Sequence, residues 1–295
     1  MSECAYNIVV ANLADHRRGI TLITLLTGLS SSVAIPFISF CVESLGWRPA
    51  LLVLALIHFL IPGLLSARML RGIGSARQRS THTGESEQRK PLHMVLRHPV
   101  FWMLALAFSA HTFVANGITF HIIPLLQERG FELSVIIAML ALHGPSQVLA
   151  RVILLLAGGR ISNDTFGRIA FALMAAGIVL LGLSRYFGPA ELFVYALVYG
   201  VGTGSLVLVR TNSVIEYLSG YGFGAASGAL VIAMALPRTT AAVVFALLWE
   251  ASGGYDAVLW LALTVSLIGL AAFWLTPRVA SMGSGAGQAG PSGPA

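Results

Sequence analysis

Apolar residues fill this chain in long blocks, and polar residues collect in the gaps between them. Eight blocks reach the ~20 residues that a helix needs to cross ~30 Å of hydrocarbon. They run over 20–41, 50–70, 100–126, 134–156, 166–186, 191–209, 224–249 and 257–276. The blocks are too long for strands and do not alternate between apolar and polar positions. The pattern therefore predicts an all-α integral membrane protein with about eight transmembrane helices.

The gaps divide the chain unevenly. Residues 1–18 read as the stub of a preceding helix and a cytoplasmic loop, with too few apolar residues to span a bilayer. Residues 19–70 hold two spans. Residues 71–98 are basic and rich in Gly, Ser, Thr and Gln, which predicts a flexible cytoplasmic central loop. Six spans follow within 99–277, and a six-helix unit after a basic loop has the form of one lobe of a two-lobed transporter. Residues 278–295 form a Gly/Ser/Pro/Ala tail expected to be disordered and cytoplasmic. The stub leads to the expectation that Met1 is an internal methionine of a longer gene, or that the gene is truncated.

Composition agrees with a membrane class. The chain is 56% hydrophobic and only 10% charged, against ~25% charged in soluble domains. The net charge of +6 is no sign of nucleic-acid binding, because the basic residues sort by side of the membrane. Arg17, Arg18, the group from Arg68 to Arg97, Arg160, Arg168, Arg210 and Arg278 fall in gaps on one side, with Arg48, Arg129 and Arg185 on the other. The positive-inside rule then places both termini and the central loop in the cytoplasm of a cell-membrane protein. Cys4 and Cys41 form no metal or disulfide motif. Glu3, Asn7, Asn12 and Asp15 interrupt the short N-terminal apolar stretch, so no secretory signal is read there. The chain shows no metal-ligand cluster, nucleophile elbow or phosphate loop, so neither an enzyme nor a cofactor is expected.

The informative residues are polar ones inside the spans. His143, Gln147 and Arg151 recur at four-residue steps and share a helix face. Arg238 lies midway along another span. A cation within the bilayer is expensive and usually faces a bundle interior or an aqueous path. Two of them suggest a route for an anion. Arg suits a carboxylate because its planar fork donates two parallel hydrogen bonds. Competing readings are snorkelling or pairing with Asp164 for Arg151, and a backbone-carbonyl partner after Pro237 for Arg238. Ser109, Thr112, Asn116 and Thr119 form a polar stripe that reads as a cavity lining or as interhelical hydrogen bonding. His58, His111, His121 and His143 read as structural or interfacial, with a proton-carrying role as the alternative for the last three. Gly200, Gly202 and Gly204 predict close helix contact.

Several short segments, taken in order, resemble the major facilitator superfamily. Arg17-Arg18-Gly19, Pro36 and Gly46-Trp47-Arg48 resemble the loop before helix five, the outer half of that helix, and the start of helix six. His121-Ile122-Ile123-Pro124-Leu125-Leu126 followed by Gly130 resembles the end of helix seven in the oxalate/formate and monocarboxylate branch. Gly144-Pro145-Ser146-Gln147 through Arg151 resembles helix eight of related bacterial members, and Gly220-Tyr221-Gly222 and Gly253-Gly254-Tyr255 resemble the loops flanking helix eleven. The resemblance covers residues 5 to 277, from the end of the fourth helix to the twelfth. It implies a complete C-terminal six-helix lobe with a partial N-terminal one. The segment 159–168 resembles the family's cytoplasmic loop signature with one residue too many. There the resemblance implies a charge-pair latch, for which Asp164 and Arg168 are candidates; a solvated turn with Asp164 as N-cap is the competing reading. In that branch the resemblance also implies a carboxylate held by an arginine of helix eight and a basic residue of helix eleven, matched here by Arg151 and Arg238.

The expected function is a secondary active transporter working by alternating access on a small organic anion. The expected substrate-binding residues are Arg151, Arg238, Gln147, His143, Asn116 and Thr112. Expected partners are the lipid bilayer and the anion, with a coupling proton or counter-anion left open, and no nucleic acid. The alternative is a transporter-derived membrane protein with an assembly or sensing role, or a decayed gene product.

Overall fold

A computed structural model of the chain describes residues 37–60, less 39, 43 and 58, and residues 92–285, less 158, 159, 187 and 222. All regular structure among them is helical. The chain divides into two units, one of residues 30–89 and one that includes 90–295. In the first, the described residues from 37 to 45 are helical, and an apolar helix, α1 (Trp47–Ile57), follows. Gly46 precedes it at φ 81 and receives no neighbour within 4 Å of a built Cβ, so backbone conformation alone selects glycine at that turn. Most of the expected span 20–41 and about half of 50–70 lie outside the described residues.

The second unit holds a short helix, α2 (Leu92–Arg97), then α3 (Pro99–Glu128), α4 (Leu133–Ala157), α5 (Asn163–Leu183), α6 (Pro189–Leu218), α7 (Phe223–Ser252) and α8 (Tyr255–Gly285). All six from α3 onward are long and apolar enough to cross a membrane. They coincide with the last six blocks read from the sequence, with three corrections at the ends. α2 occupies the end of the segment expected to be loop. Its Val95 is fully buried, because an amphipathic turn can pack where a linker composition does not forbid it. α8 continues to Gly285, past the expected tail boundary, running on through Pro277, whose missing N–H removes one bond of the ladder without ending the helix. α6 runs to Leu218 rather than stopping at residue 209, because buried Leu206, Val209, Ser213, Val214 and Leu218 keep helical spacing through a polar stretch.

Local chemistry sets the ends. Pro99 occupies the first turn of α3, where its missing N–H removes no helix bond. Gly130, at φ 83, closes the same helix, and Phe131 N–H donates to Leu126 O at 3.0 Å in a Schellman arrangement. Ser162, not Asp164, is the N-cap of α5, its Oγ accepting from Thr165 N at 3.2 Å.

The helices pair in a regular pattern. α3 packs on α7 and α8, α6 packs on α4 and α5, and α5 meets α8. Exchanging α3 with α6, α4 with α7 and α5 with α8 maps the pairings of α3 onto those of α6 and the α5–α8 pairing onto itself. Helices three apart cross the bilayer in opposite directions, so this is the pattern of an inverted three-helix repeat. α4 and α7 correspond under the exchange, and both leave apolar side chains such as Ile137, Ile153, Ile232 and Leu247 exposed. The core lies between α3, α5 and α8, where the rings of Phe108, Phe171 and Phe273 meet at 5.3–6.1 Å. Glycine lets α6 approach its neighbours closely. A Cβ on Gly204 would meet Gln147 Cα at 2.7 Å, and one on Gly202 would meet Met174 N at 2.8 Å.

Candidate functional site

α3, α6 and α7 line an open cavity of about 320 Å³ on the six-helix unit, at which Arg238 is exposed. α3 contributes Phe108, His111, Thr112, Ala115 and Asn116. α6 contributes Leu206, Val207 and Arg210, and α7 contributes Val231, Met234, Ala235, Arg238 and Thr239. Measured from the end of the bundle where α3 and α7 begin and α6 ends, Arg210 lies ~12 Å deep, His111 ~18 Å and Arg238 ~22 Å. The cavity therefore lies around the middle of the bundle's length. It carries two arginines and a histidine and no carboxylate. Arg238 has no hydrogen-bond or ion-pair partner among the described residues. Arg210 Nη1 approaches Met234 Sδ at 3.9 Å, and His111 Nδ1 lies 3.3 Å from Met174 Sδ.

The residues singled out from sequence fall into two groups. Thr112, Asn116 and Arg238 line this cavity. Asn116 donates to Thr112 O at 2.8 Å within its own helix. His143, Gln147 and Arg151 do not line it. They sit on α4, whose polar face meets α6: His143 stacks on Tyr199 at 5.9 Å, and Gln147 lies over Gly204. Arg151, one turn further on, is 5% exposed. The polar stripe on α3 also divides, since Ser109 donates to Ala233 O of α7 and Thr119 to Ala115 O of its own helix. Asp164 does not pair with Arg168; it accepts the Tyr217 hydroxyl at 2.6 Å, which ties the start of α5 to the end of α6. Tyr217 reaches it because α6 runs on past residue 209 beside α5.

Arg210 is the residue that sequence reasoning assigned to a loop. Its charge and the Arg-Thr-Asn-Ser run around it ended the apolar block. Its signal was the continuing helical spacing of apolar positions on either side.

The opposite end of the unit is closed by charge. Arg129, 8% exposed, donates to the carbonyls of Leu181 and Gly182 (3.2 Å for the latter), to Ser184 Oγ at 2.8 Å and to Asp256 at 3.1 Å. Burial lowers the affinity of its guanidinium for a proton, with Asp256 acting in the opposite sense. Arg185, half-exposed, takes the other oxygen of Asp256. Nearby, Glu128 accepts from Trp249 Nε1 at 2.8 Å and from Tyr255 N at 3.3 Å. These contacts join the loops after α3, α5 and α7. Because exposed ion pairs contribute ~0–1 kcal/mol and buried charge-assisted bonds more, Arg129→Ala should lower the thermal-unfolding midpoint further than Arg185→Ala does. Equal midpoints for the two variants in detergent would refute this ordering.

A family model described as the Major Facilitator Superfamily matches residues 4–184, more than half of the chain. No curated protein matches the chain. With six helices long and apolar enough to span a membrane, paired as an inverted repeat, this multi-pass membrane protein belongs to the Major Facilitator Superfamily, a family of membrane transporters of small molecules.

Proposed function

We propose that the chain is a secondary transporter that carries a small organic anion of the carboxylate type by alternating access. The observation that carries this reading is Arg238, a cation without a protein counter-charge among the described residues, sharing a cavity with Arg210 and no acidic side chain. A cation held at that depth is stabilised when an anion joins it. Asn116, Thr112 and Thr239 add neutral hydrogen-bonding groups, and Phe108, Leu206 and Val231 add apolar surface, so the preferred substrate pairs one anionic group with an apolar body. The resemblance of several segments to the oxalate/formate and monocarboxylate branch points the same way. Arg151, Gln147 and His143 then support α4 against α6 beside the anion path. The charge distribution favours cytoplasmic termini in a cell membrane, and a proton or a counter-anion supplies the coupling.

The test compares a carboxylate with its neutral isostere. In proteoliposomes containing the full chain, saturable counterflow of radiolabelled benzoate, butyrate or oxalate is expected, with no competition by benzamide or butyramide. Competition by the amides at the strength of the acids, or no movement of any acid in the panel, would overturn the anion reading.

A further inference from the structure

Pro237 removes one backbone donor from the middle of α7, directly before Arg238. The carbonyl left without its helical partner is that of Ala233, four residues back. In hydrocarbon such a group needs another donor, and a Ser or Thr side chain from a neighbouring helix is one means of supplying it. Ser109, half-buried on α3, points its Oγ at Ala233 O, 3.4 Å away. α3, α4 and α8 also contain prolines within the helix, at Pro124, Pro145 and Pro277. Among the described residues, no side chain from another helix donates to the carbonyls those three release. The Pro237 site is thus the one that α3 serves.

The turn after Pro237 is supported as well. Thr239 Oγ1 donates to the carbonyls of Ala235 and Leu236 at 3.2 and 3.1 Å, and Thr240 Oγ1 to Leu236 O at 2.9 Å. Beyond it, His121 Nε2 of α3 meets Ala242 O of α7 at 3.0 Å. α3 therefore grips α7 on both sides of the break, and Arg238 lies between the two grips.

We propose that Ser109 is a positioning residue: its hydroxyl replaces the helix bond that Pro237 deletes and so fixes the turn of α7 that presents Arg238 to the cavity. Its consequence for transport rests on the anion reading above; its consequence for α7 does not. The two are measured separately.

The experiment places spin labels at Gly228→Cys and Leu247→Cys in the full chain carrying Cys4→Ser and Cys41→Ser. Both sites are exposed and lie ~28 Å apart along α7, across the break. Ser109→Ala should shift or broaden the distance distribution, and Ser109→Thr should preserve it. In a Pro237→Ala background residue 237 regains its N–H, the hydroxyl becomes redundant, and Ser109→Ala should change nothing. A distribution unmoved by Ser109→Ala, or moved equally in both backgrounds, overturns the proposal. Should Ser109→Ala alone fail to accumulate, rescue by Pro237→Ala supports the same conclusion, and absence of rescue overturns it. For benzoate, Ser109→Ala should raise KM about 2–10-fold with Vmax unchanged, the worth of one neutral hydrogen bond. The expected label result without transport of any acid retires the anion reading and leaves the positioning of α7 standing.

Discussion

Replacing Arg238 with Ala should weaken anion transport by about 10–100-fold in KM. A hydrogen bond from a charged donor contributes ~1.5–3 kcal/mol, and each ~1.4 kcal/mol is tenfold in affinity. Arg238 lies near the middle of α7, at the cavity. Arg238→Lys keeps the charge but loses the planar fork, so recovery should be partial. Arg210→Ala should behave similarly, because its guanidinium lines the same cavity from α6. Arg151→Ala separates two layouts of the site. Its side chain lies outside the cavity, so a change confined to protein yield fits the α3–α6–α7 site. A loss of affinity equal to that of Arg238→Ala would instead place part of the anion path on α4. Uptake normalised to membrane protein measures all four variants. Normal KM in both Arg238→Ala and Arg210→Ala would dispose of the site.

The second large effect is steric. Gly202→Leu should prevent accumulation of folded protein or lower its unfolding temperature by several degrees. A Cβ at that position would sit 2.8 Å from Met174 N and 3.0 Å from Ala170 O. Both are backbone atoms of α5, so no side chain can turn aside to make room. Even Ala there forces the two helices apart, and overpacking of this kind costs about 1–3 kcal/mol. Gly228→Leu on α7 is the control, because nothing lies within 4 Å of a Cβ there. Thermal unfolding in detergent compares them; a Gly202→Leu protein as stable as the Gly228→Leu one would contradict the close α5–α6 contact.

The membrane class and the last six spans were legible because length and apolarity alone decide whether a helix can cross hydrocarbon. Arg238 was legible for the same reason, as a charge that the surrounding composition makes costly. Its neighbours were not. A helical wheel puts His143, Gln147 and Arg151 on one face of α4, but it cannot say which helix that face meets. That depends on the glycines of α6, which draw α4 in so closely that the face becomes a packing surface. Arg210 was missed because a charge ended the apolar block, although helical spacing continued past it. Ser109 was visible as part of a stripe. Its pairing with the carbonyl four residues before Pro237 required knowing that α3 lies against α7.

The pairing of helices has a consequence for synthesis in the membrane. α3 packs on α7 and α8, while α4 and α5 pack on α6. α4, α5 and α6 follow one another in the chain, whereas the first group joins helices from the two ends of the unit. When α3 leaves the ribosome its partners do not yet exist, and at ~5–20 residues per second roughly 5–20 s pass before α7 follows. During that interval Ser109, Thr112 and Asn116 face lipid, or bond only within their own helix, as Asn116 does to Thr112 O. The packing of α3 is completed only once the last helices are inserted, so that part of the fold is non-local. A chain that ended after α5 would leave α3 without either of its main partners.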